Sequence, residues 1–513
     1  MSRPSCQLRR RHRLAAALAV PILIAGCAVG PNYHRPPLPP ASGYGVDATA
    51  PAEASLPGAP TLVSGQDVAA DWWRVFHNPD LDALVAEALK NSPTIDAAKA
   101  ALKSAREQVK AQRGAYFPSV SASVQPSRQQ FAPTLSSPLQ NNSELYSLTT
   151  TQVAISYTPD LFGANRRAVE SLAAQADQQR FELEAARLTL ATNVAQAAIQ
   201  DALLRAEIDA AQAVVGGQRA TLASFRNQAS LGQASSADLA AQEALLAQAE
   251  ATLPPLEKQF RVNRDLLSAL VGRTPGEPVQ VRFDFKDLAL PQQLPLSLPG
   301  QLVEHRPDVR LAEAQLHAAS AQIGIAAAAR WPDLEITAGA GSAALGLVPK
   351  FNSASNFWSV AGTLTQPIFQ GGTLLHRERA ARAAYDQAAA QYRSAVIGAF
   401  QNTADVLHAV WTDTQALDKA EAAERAARRS LDIAGRQFML GDVSRLMVIT
   451  AEQTEAQSRL ARLQAQANRY DDVVALYQAL GGGWWNADAP AAAGRASGAQ
   501  TSSAQTSSGR RAP

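Results

Sequence analysis

Cysteine is nearly absent from this chain of 513 residues, which contains only Cys6 and Cys27. Both lie close to the N-terminus, and Cys6 precedes a predicted cleavage site. An exported chain that keeps only Cys27 cannot form an internal disulfide, so its single thiol requires another explanation in an oxidising compartment.

The sequence also lacks the motifs of common enzymes. Its seven histidines are scattered, and none has the spacing of a His-Glu-x-x-His zinc site. A Gly-x-Ser-x-Gly elbow and a phosphate-binding glycine loop are absent as well. We therefore predict no enzyme activity, no catalytic residues and no metal. The pairs Trp72-Trp73 and Trp484-Trp485 are compatible with a ligand box, but packing in the equatorial region or a position at an interface is the favoured interpretation.

Strong charge and long apolar runs are missing too. The chain carries 47 basic and 45 acidic residues without a basic stripe, which argues against nucleic acid as a partner. After the N-terminal region no segment approaches 18 uninterrupted apolar residues, so no transmembrane helix is predicted.

The N-terminus has the features of a bacterial export signal. Residues 1–13 contain five arginines and no acid, and an apolar run follows before Leu23-Ile24-Ala25-Gly26-Cys27. This arrangement is typical of a secretory signal, and its last five residues match a lipobox. We predict a signal peptide over 1–26 and, on Cys27, a diacylglycerol thioether with N-acylation. An ordinary signal peptide with an incidental cysteine is the alternative.

A lipid on Cys27 would hold the chain at a membrane, since each buried CH₂ contributes about 0.8 kcal/mol. Ala28 replaces the aspartate that typically retains such lipoproteins at the inner membrane. The expected location is therefore the outer membrane, with the protein lipid-anchored and extending into the periplasm.

The chain repeats itself at an offset near 210 residues. Five landmarks recur in the same order, and searching for such symmetry precedes any fold assignment. The pairs are Asn91-Ser92-Pro93 with His305-Arg306-Pro307, Tyr116-Phe117-Pro118 with Arg330-Trp331-Pro332, Pro159 to Gly163 with Pro367 to Gly371, Leu231-Gly232 with Leu440-Gly441, and Leu270-Val271-Gly272 with Leu480-Gly481-Gly482. A tandem duplication of one unit of about 190 residues explains the pattern.

Each unit contains two short segments in which apolar and polar residues alternate. They cover about 117–125, 149–158, 333–341 and 357–366. Such alternation is typical of transmembrane β-barrel strands, although an exposed soluble hairpin alternates too. The connecting segments, about 126–147 and 343–356, are polar and suit the extracellular side.

Each unit also contains one very long helix, predicted over about 164–228 and about 373–440. Each is roughly 100 Å long at 1.5 Å per residue, and sustained heptads in them call for coiled-coil packing. In the first helix the residues at a strict seven-residue interval are Ala176, Leu183, Leu190, Ala197, Leu204 and Ala211.

Four strands cannot close a barrel, because the smallest membrane barrels need about eight. Three copies would supply twelve strands, and the same threefold axis would arrange the helices as a tube. We therefore predict a mainly α fold with a β-barrel portion: a homotrimeric 12-stranded outer-membrane barrel that continues into a long periplasmic α-helical barrel.

The predicted organisation follows the duplication. A lipid-anchored extended segment covers 27–70, the first repeat 71–272, an equatorial linker 273–299 and the second repeat 300–483. Within the repeats, turns at 230–236 and 440–446 lead into helices that run to 272 and 481. A disordered tail covers 484–513.

Several segments resemble the outer-membrane factor lipoproteins of the TolC family, of the OprM/NodT type. They are Cys27-Ala28-Val29-Gly30-Pro31-Asn32-Tyr33, Asp71-Trp72-Trp73-Arg74-Val75-Phe76 with Pro79-Asp80-Leu81, and Arg306-Pro307-Asp308-Val309. The resemblance covers about residues 20–483. It implies the exit duct of a tripartite efflux system, docked to a periplasmic adaptor and an inner-membrane RND-type pump and carrying drugs or other small molecules.

The resemblance places two helical turns at the periplasmic mouth. The implied tip and adaptor-contact residues are Leu231, Gly232, Ser235, Leu440, Gly441, Ser444 and Arg445. Glycine suits a reversal that needs a positive φ, and Ser235 or Ser236 and Ser444 are candidate N-caps. Plain capping and adaptor contact are both compatible with these residues.

A constriction is expected near the same mouth. Family members often carry an aspartate on the returning helix of the second repeat, where this chain has Thr450. Asp238 and Asp442 remain as candidate gate acids, since threefold symmetry would place three carboxylates around one axis. Solvated aspartates at helix starts are the alternative. Leu446 and Ile449 are candidates for an apolar constriction or for packing between helices.

Two other functions are compatible with the sequence. One is the outer-membrane duct of a type I protein secretion system. The other is a lipid-anchored coiled-coil scaffold without a pore, which would leave the four alternating strands at duplicated positions unexplained.

Overall fold

The computed structural model describes residues 28–37, 60–130, 132, 144–297, 299–346, 351 and 353–487. The predicted signal peptide, Cys27 and all but the first residues of the predicted tail lie outside these residues. No helix in the described part of the chain is both long enough and apolar enough to cross a membrane.

The first repeat contains two short helices, a hairpin, and a long helix followed by two shorter helices that run back along it. The elements are α1 (Pro79–Asn91), α2 (Pro93–Gly114), β2 (Ser119–Gln130), β3 (Leu145–Tyr157), α3 (Ala164–Ser230), α4 (Ser236–Ala251) and α5 (Leu253–Leu270). Strand β1 (Thr61–Ser64) and a 3-10 helix (Trp72–Phe76) precede them.

The second repeat follows the same order after β4 (Gln293–Leu296). Its elements are α6 (Pro299–His305), α7 (Pro307–Ala328), β5 (Asp333–Leu345), β6 (Asn356–Thr365), α8 (Thr373–Leu440) and α9 (Arg445–Ala479). Pro93 and Pro307 each begin a helix at a matching position, because a proline at the first turn loses no hydrogen bond.

The four long strands form one antiparallel sheet in the order β2-β3-β5-β6. Its register pairs Val120 with Ile155, Ile155 with Ala338 and Ala338 with Val360, so the alternating apolar residues share one face. That face is exposed in the single chain, as 78% exposure of Trp358 illustrates. The outer strands, β2 and β6, each have one edge without a partner strand in the described chain.

The helices α3 and α8 contain 67 and 68 residues. The predicted heptad seam of α3 is largely buried, from Ala176 through Leu204. Alanine is frequent along both helices, which combines high helix propensity with close approach of neighbouring backbones. The apolar stripes pack α3 against α7 and α8 against α9.

The structure differs from the sequence prediction at three places. The hairpins are longer than predicted, since β2 reaches Gln130 and β5 reaches Leu345. The returning helix of the first repeat is not continuous to 272: it divides at Thr252, because Pro254 and Pro255 can begin a helix but not continue one. The predicted disordered tail is wrong at its start, where Trp484–Asn486 form a packed 3-10 helix.

The middle of the molecule is a mixed collar around the helices. Strand β1 pairs in parallel with β4 from the linker. The carboxylate of Asp201 on α3 is fully buried and accepts hydrogen bonds from Arg205 Nε at 2.9 Å and from the Phe283 N–H at 3.4 Å. Arg264 on α5 lies 3.5 Å from the same carboxylate. One buried acid thus joins the long helix, the returning helix and the linker.

Candidate functional site

The first helical tip is a tight reversal closed by a reciprocal cap. Helix α3 ends at Ser230, and Gly232 then adopts φ +75°, which costs glycine little. The Ser235 hydroxyl accepts the Asp238 N–H at 3.1 Å, and the Asp238 carboxylate accepts the Ser235 N–H at 3.2 Å. Two of the free amide groups at the start of α4 are satisfied in this way.

The cap determines the chemistry of Asp238. A hydrogen bond from the Ser235 hydroxyl and a second from its backbone N–H hold the pKa of the Asp238 carboxyl below its usual value. The carboxylate is therefore ionised at neutral pH. Its exposed position and capping bonds agree with the helix-start alternative, and they leave its role as a gate acid a prediction.

The second tip is built differently. Helix α8 ends at Leu440, and Gly441 at φ +82° donates its N–H to the carbonyls of Gln437 and Phe438. The N–H of Asp442 also bonds to Gln437 O, at 2.9 Å, so the last carbonyls of the helix are satisfied. Ser444 occupies the N-cap position of α9, but its side chain makes no capping hydrogen bond.

Arg445 connects the two hairpins. From the first turn of α9 its guanidinium donates to the Thr221 hydroxyl on α3 at 2.5 Å and to Glu452 at 3.4 Å. It also lies over the Phe438 ring, 5.6 Å from the centroid. The bond to Thr221 spans 224 residues of sequence and fixes the start of the second returning helix to the first long helix.

The two tips enclose a groove of about 850 Å³. Of the predicted residues, the structure brings Asp238, Ser444, Arg445, Leu446 and Ile449 together in its lining. Leu446 is 70% exposed, whereas Ile449 is only 8% exposed. The groove lining does not include Asp442, which lies on the exposed turn.

Leu231 and Leu440 are exposed apolar side chains of the two tips, by 72% and 77%, and Met439 beside Leu440 is exposed by 79%. Apolar side chains in such positions favour contact with a partner. Sequence reasoning missed Thr221, Phe438 and Glu452, whose importance arises from contacts with Arg445. A threonine within a long amphipathic helix carries no local signal of such a contact.

The predicted lipid-attachment residue, Cys27, lies outside the described residues, but the segment after it is fixed. The Val29 N–H donates to Phe162 O at 3.0 Å, directly before the start of α3. Arg167, which is buried, donates to Asn32 at 2.8 Å. Phe162 stacks on Trp331 with the ring centroids 5.1 Å apart. Ala28 is therefore held where the sheet gives way to the helices.

Comparison with known proteins agrees with this architecture. The sequence profile described as "Outer membrane efflux protein" matches residues 84–273 and 298–482, which correspond to the two repeats. The pyoverdine export outer membrane protein OpmQ of Pseudomonas putida is 29% identical over 428 residues, covering 82% of this chain and 89% of OpmQ. OprJ of Pseudomonas aeruginosa is 29% identical over 479 residues, covering 91% and 95%.

The fold has solved counterparts as well. The outer-membrane channel OprN superimposes with a TM-score of 0.79 at 25% identity, covering 89% of this chain and all of the OprN chain. The predicted TolC-like duplicated fold and the efflux function are confirmed by these relatives. The chain belongs to the outer membrane efflux protein family, a family of outer-membrane channels and not of enzymes.

Proposed function

We propose that three copies of this outer-membrane efflux protein form the exit duct of a tripartite efflux system. The sheet carries the proposal: its apolar face is exposed and its two outer strands lack partners in the described chain. Four strands are too few to close a barrel, for which about eight are needed. Strands β2 and β6 run in opposite directions, so β6 of one copy can pair antiparallel with β2 of the next.

The helices extend the duct away from the membrane. With 67 and 68 residues, α3 and α8 reach roughly 100 Å at 1.5 Å per residue. Threefold symmetry would repeat them around the axis of the sheet and form a helical tube. The tips then lie at the far end of this tube, where we propose that a periplasmic adaptor docks and connects the duct to an inner-membrane RND-type pump.

The cargo class follows from relatives. OpmQ is named for export of pyoverdine, and the relative TtgF is named for a toluene efflux pump. Both names describe small molecules and not proteins. We propose small-molecule efflux for this chain, with the pump supplying the energy.

The contact between the tips supports a gate at the periplasmic mouth. Arg445 holds α9 against α3 through Thr221, and this bond must break if the second hairpin moves outward. We propose that the contact stabilises the closed duct. Leu446 and Ile449, which line the same groove, would move with Arg445 because they lie on the first turns of the same helix.

The function is tested by single-channel conductance of the purified protein in planar bilayers, together with its native mass. We expect a trimer with small conductance, because a closed mouth limits the ion flow through an otherwise water-filled tube. A monomeric mass without conductance, in the wild type and in tip variants alike, would leave the scaffold without a pore as the better explanation.

Lipid attachment at Cys27 is a separate proposal, supported by the position of Ala28 against Gly163, next to Phe162, where the sheet meets the long helix. Replacing Cys27 by alanine is expected to abolish incorporation of radiolabelled palmitate. Intact mass spectrometry of the wild type should show a chain that begins at Cys27 and carries the added mass of the diacylglycerol and acyl groups. The wild type labelled in parallel is the control, and an unlabelled wild type beginning at a residue other than Cys27 would contradict lipidation.

A further inference from the structure

A second cavity lies far from the tips, in the collar around the middle of the molecule. Its volume is about 580 Å³, within the range of about 300–1,000 Å³ that is usual for small-molecule sites. Two pairs of tryptophans contribute to its lining, Trp72 with Trp73 and Trp484 with Trp485. The duct function does not account for a pocket of this composition.

The aromatic wall is held rigidly. The indole N–H of Trp484 donates to His305 O at 2.7 Å, and that of Trp485 donates to Asp67 at 3.0 Å. His305 stacks on Trp485 with the ring centroids 3.8 Å apart. Because both indole donors are used inside the protein, these rings offer a ligand their apolar surfaces only.

One cation beside this wall has no ion pair among the described residues. Lys99 and Arg187, which also line the pocket, are paired with Asp96 and Glu184 at 3.0 Å. Arg180 lies over the rings of Phe181 and Trp484 at 5.6 and 5.7 Å. Among the described residues the structure gives it no hydrogen bond and no ion pair. An arginine that is oriented by stacking and free to donate is suited to a bidentate anion.

We infer that this pocket binds an organic carboxylate that carries a ring with an apolar face. The carboxylate would accept hydrogen bonds from the guanidinium of Arg180, and the ring would pack against Trp484. One free cation next to Glu184 favours a single negative charge over a doubly charged phosphate.

Two sources supply such a ligand. Arg180 follows the start of α3 by 16 residues, roughly 24 Å along the helix, so the pocket lies on the periplasmic part of the protein. A fragment of the cell wall offers sugar rings and peptide carboxylates. A small aromatic acid offers one ring and one carboxylate.

The test measures binding to the purified full-length protein in detergent, by calorimetry and by tryptophan fluorescence. The probes are a purified disaccharide-tetrapeptide fragment of peptidoglycan and salicylate, with benzyl alcohol as the uncharged comparison. We expect at least one acid to bind and the alcohol not to. Arg180→Gln should then weaken binding about tenfold or more, since charge-assisted hydrogen bonds contribute about 1.5–3 kcal/mol.

The control is Arg166→Gln, which changes another exposed arginine of the same helix. It should leave the affinity unchanged, and the native mass should match the wild type in both variants. If Arg180→Gln does not fold, Lys99→Gln serves as the second variant and should weaken binding by a smaller factor. Tighter binding of the peptidoglycan fragment or of salicylate identifies the source of the ligand. Three results overturn the inference: binding of neither acid, an equal loss of affinity in Arg166→Gln, or complete burial of Trp484 against a neighbouring copy.

Discussion

Replacing Asp201 by alanine is expected to lower the free energy of unfolding by about 3–5 kcal/mol, the usual cost of removing one partner of a buried ion pair. The carboxylate is fully buried, and its loss leaves Arg205 and Arg264 without their acid and the Phe283 N–H without its acceptor. Guanidinium unfolding in detergent, followed by the helical circular dichroism signal, measures the change.

Two variants make this result specific. Asp201→Asn keeps the shape and an acceptor for the Phe283 N–H but removes the charge, so its loss should be smaller than that of alanine. Asp405→Ala, on the exposed side of α8, should change stability by no more than about 0.5 kcal/mol. A loss below about 1 kcal/mol for Asp201→Ala would mean that the collar does not depend on this acid.

The destabilisation by Asp201→Ala should appear first in the linker and only then in the rest of the protein. Arg264 donates to the carbonyls of Val279 and Val281 as well as approaching Asp201. Without Asp201, the side chain of Arg264 is less constrained and holds the linker less firmly. Amide hydrogen exchange should therefore increase first around Val279 to Phe283, and only afterwards along α3, where the helix keeps its own hydrogen bonds.

The duplication explains how much of the fold can be predicted from the sequence. Weak strand alternation becomes convincing when it recurs at matched positions, and the register then places Val120, Ile155, Ala338 and Val360 on one face. The long helices follow from the absence of proline over more than 60 residues. Both signals are local or periodic, so one sequence contains them in full.

The contacts that join distant segments were not predictable in this way. Asp201 looks like any polar residue of an amphipathic helix, yet it meets a linker 82 residues away. Thr221 likewise meets Arg445 only because two hairpins lie side by side. Pro254 and Pro255 divide the return of the first repeat, whereas the matching helix of the second repeat contains no proline, so the duplication does not predict this division.

Replacing Arg445 by alanine is expected to open the duct. The change removes the bond from α9 to Thr221 and the contact with Phe438, while the caps at Gly441 and Ser235 stay intact. A hydrogen bond to a charged group contributes about 1.5–3 kcal/mol. Because 1.4 kcal/mol is tenfold in an equilibrium, the open fraction should rise about tenfold or more, which single-channel recordings in planar bilayers would show as higher mean conductance.

Thr221→Val removes the acceptor from the other side and should open the duct similarly. The mean conductance of the double variant should then be close to that of either single variant, because the two substitutions remove the same interaction. Arg436→Ala is the matched control: this arginine is one turn from the same tip, and within the described part of the chain it bonds only to Asp432 O of its own helix. If Arg445→Ala and Thr221→Val both form intact trimers with unchanged conductance, this contact does not hold the duct closed. The remaining candidates for the constriction would then be Asp238, Asp442, Leu446 and Ile449.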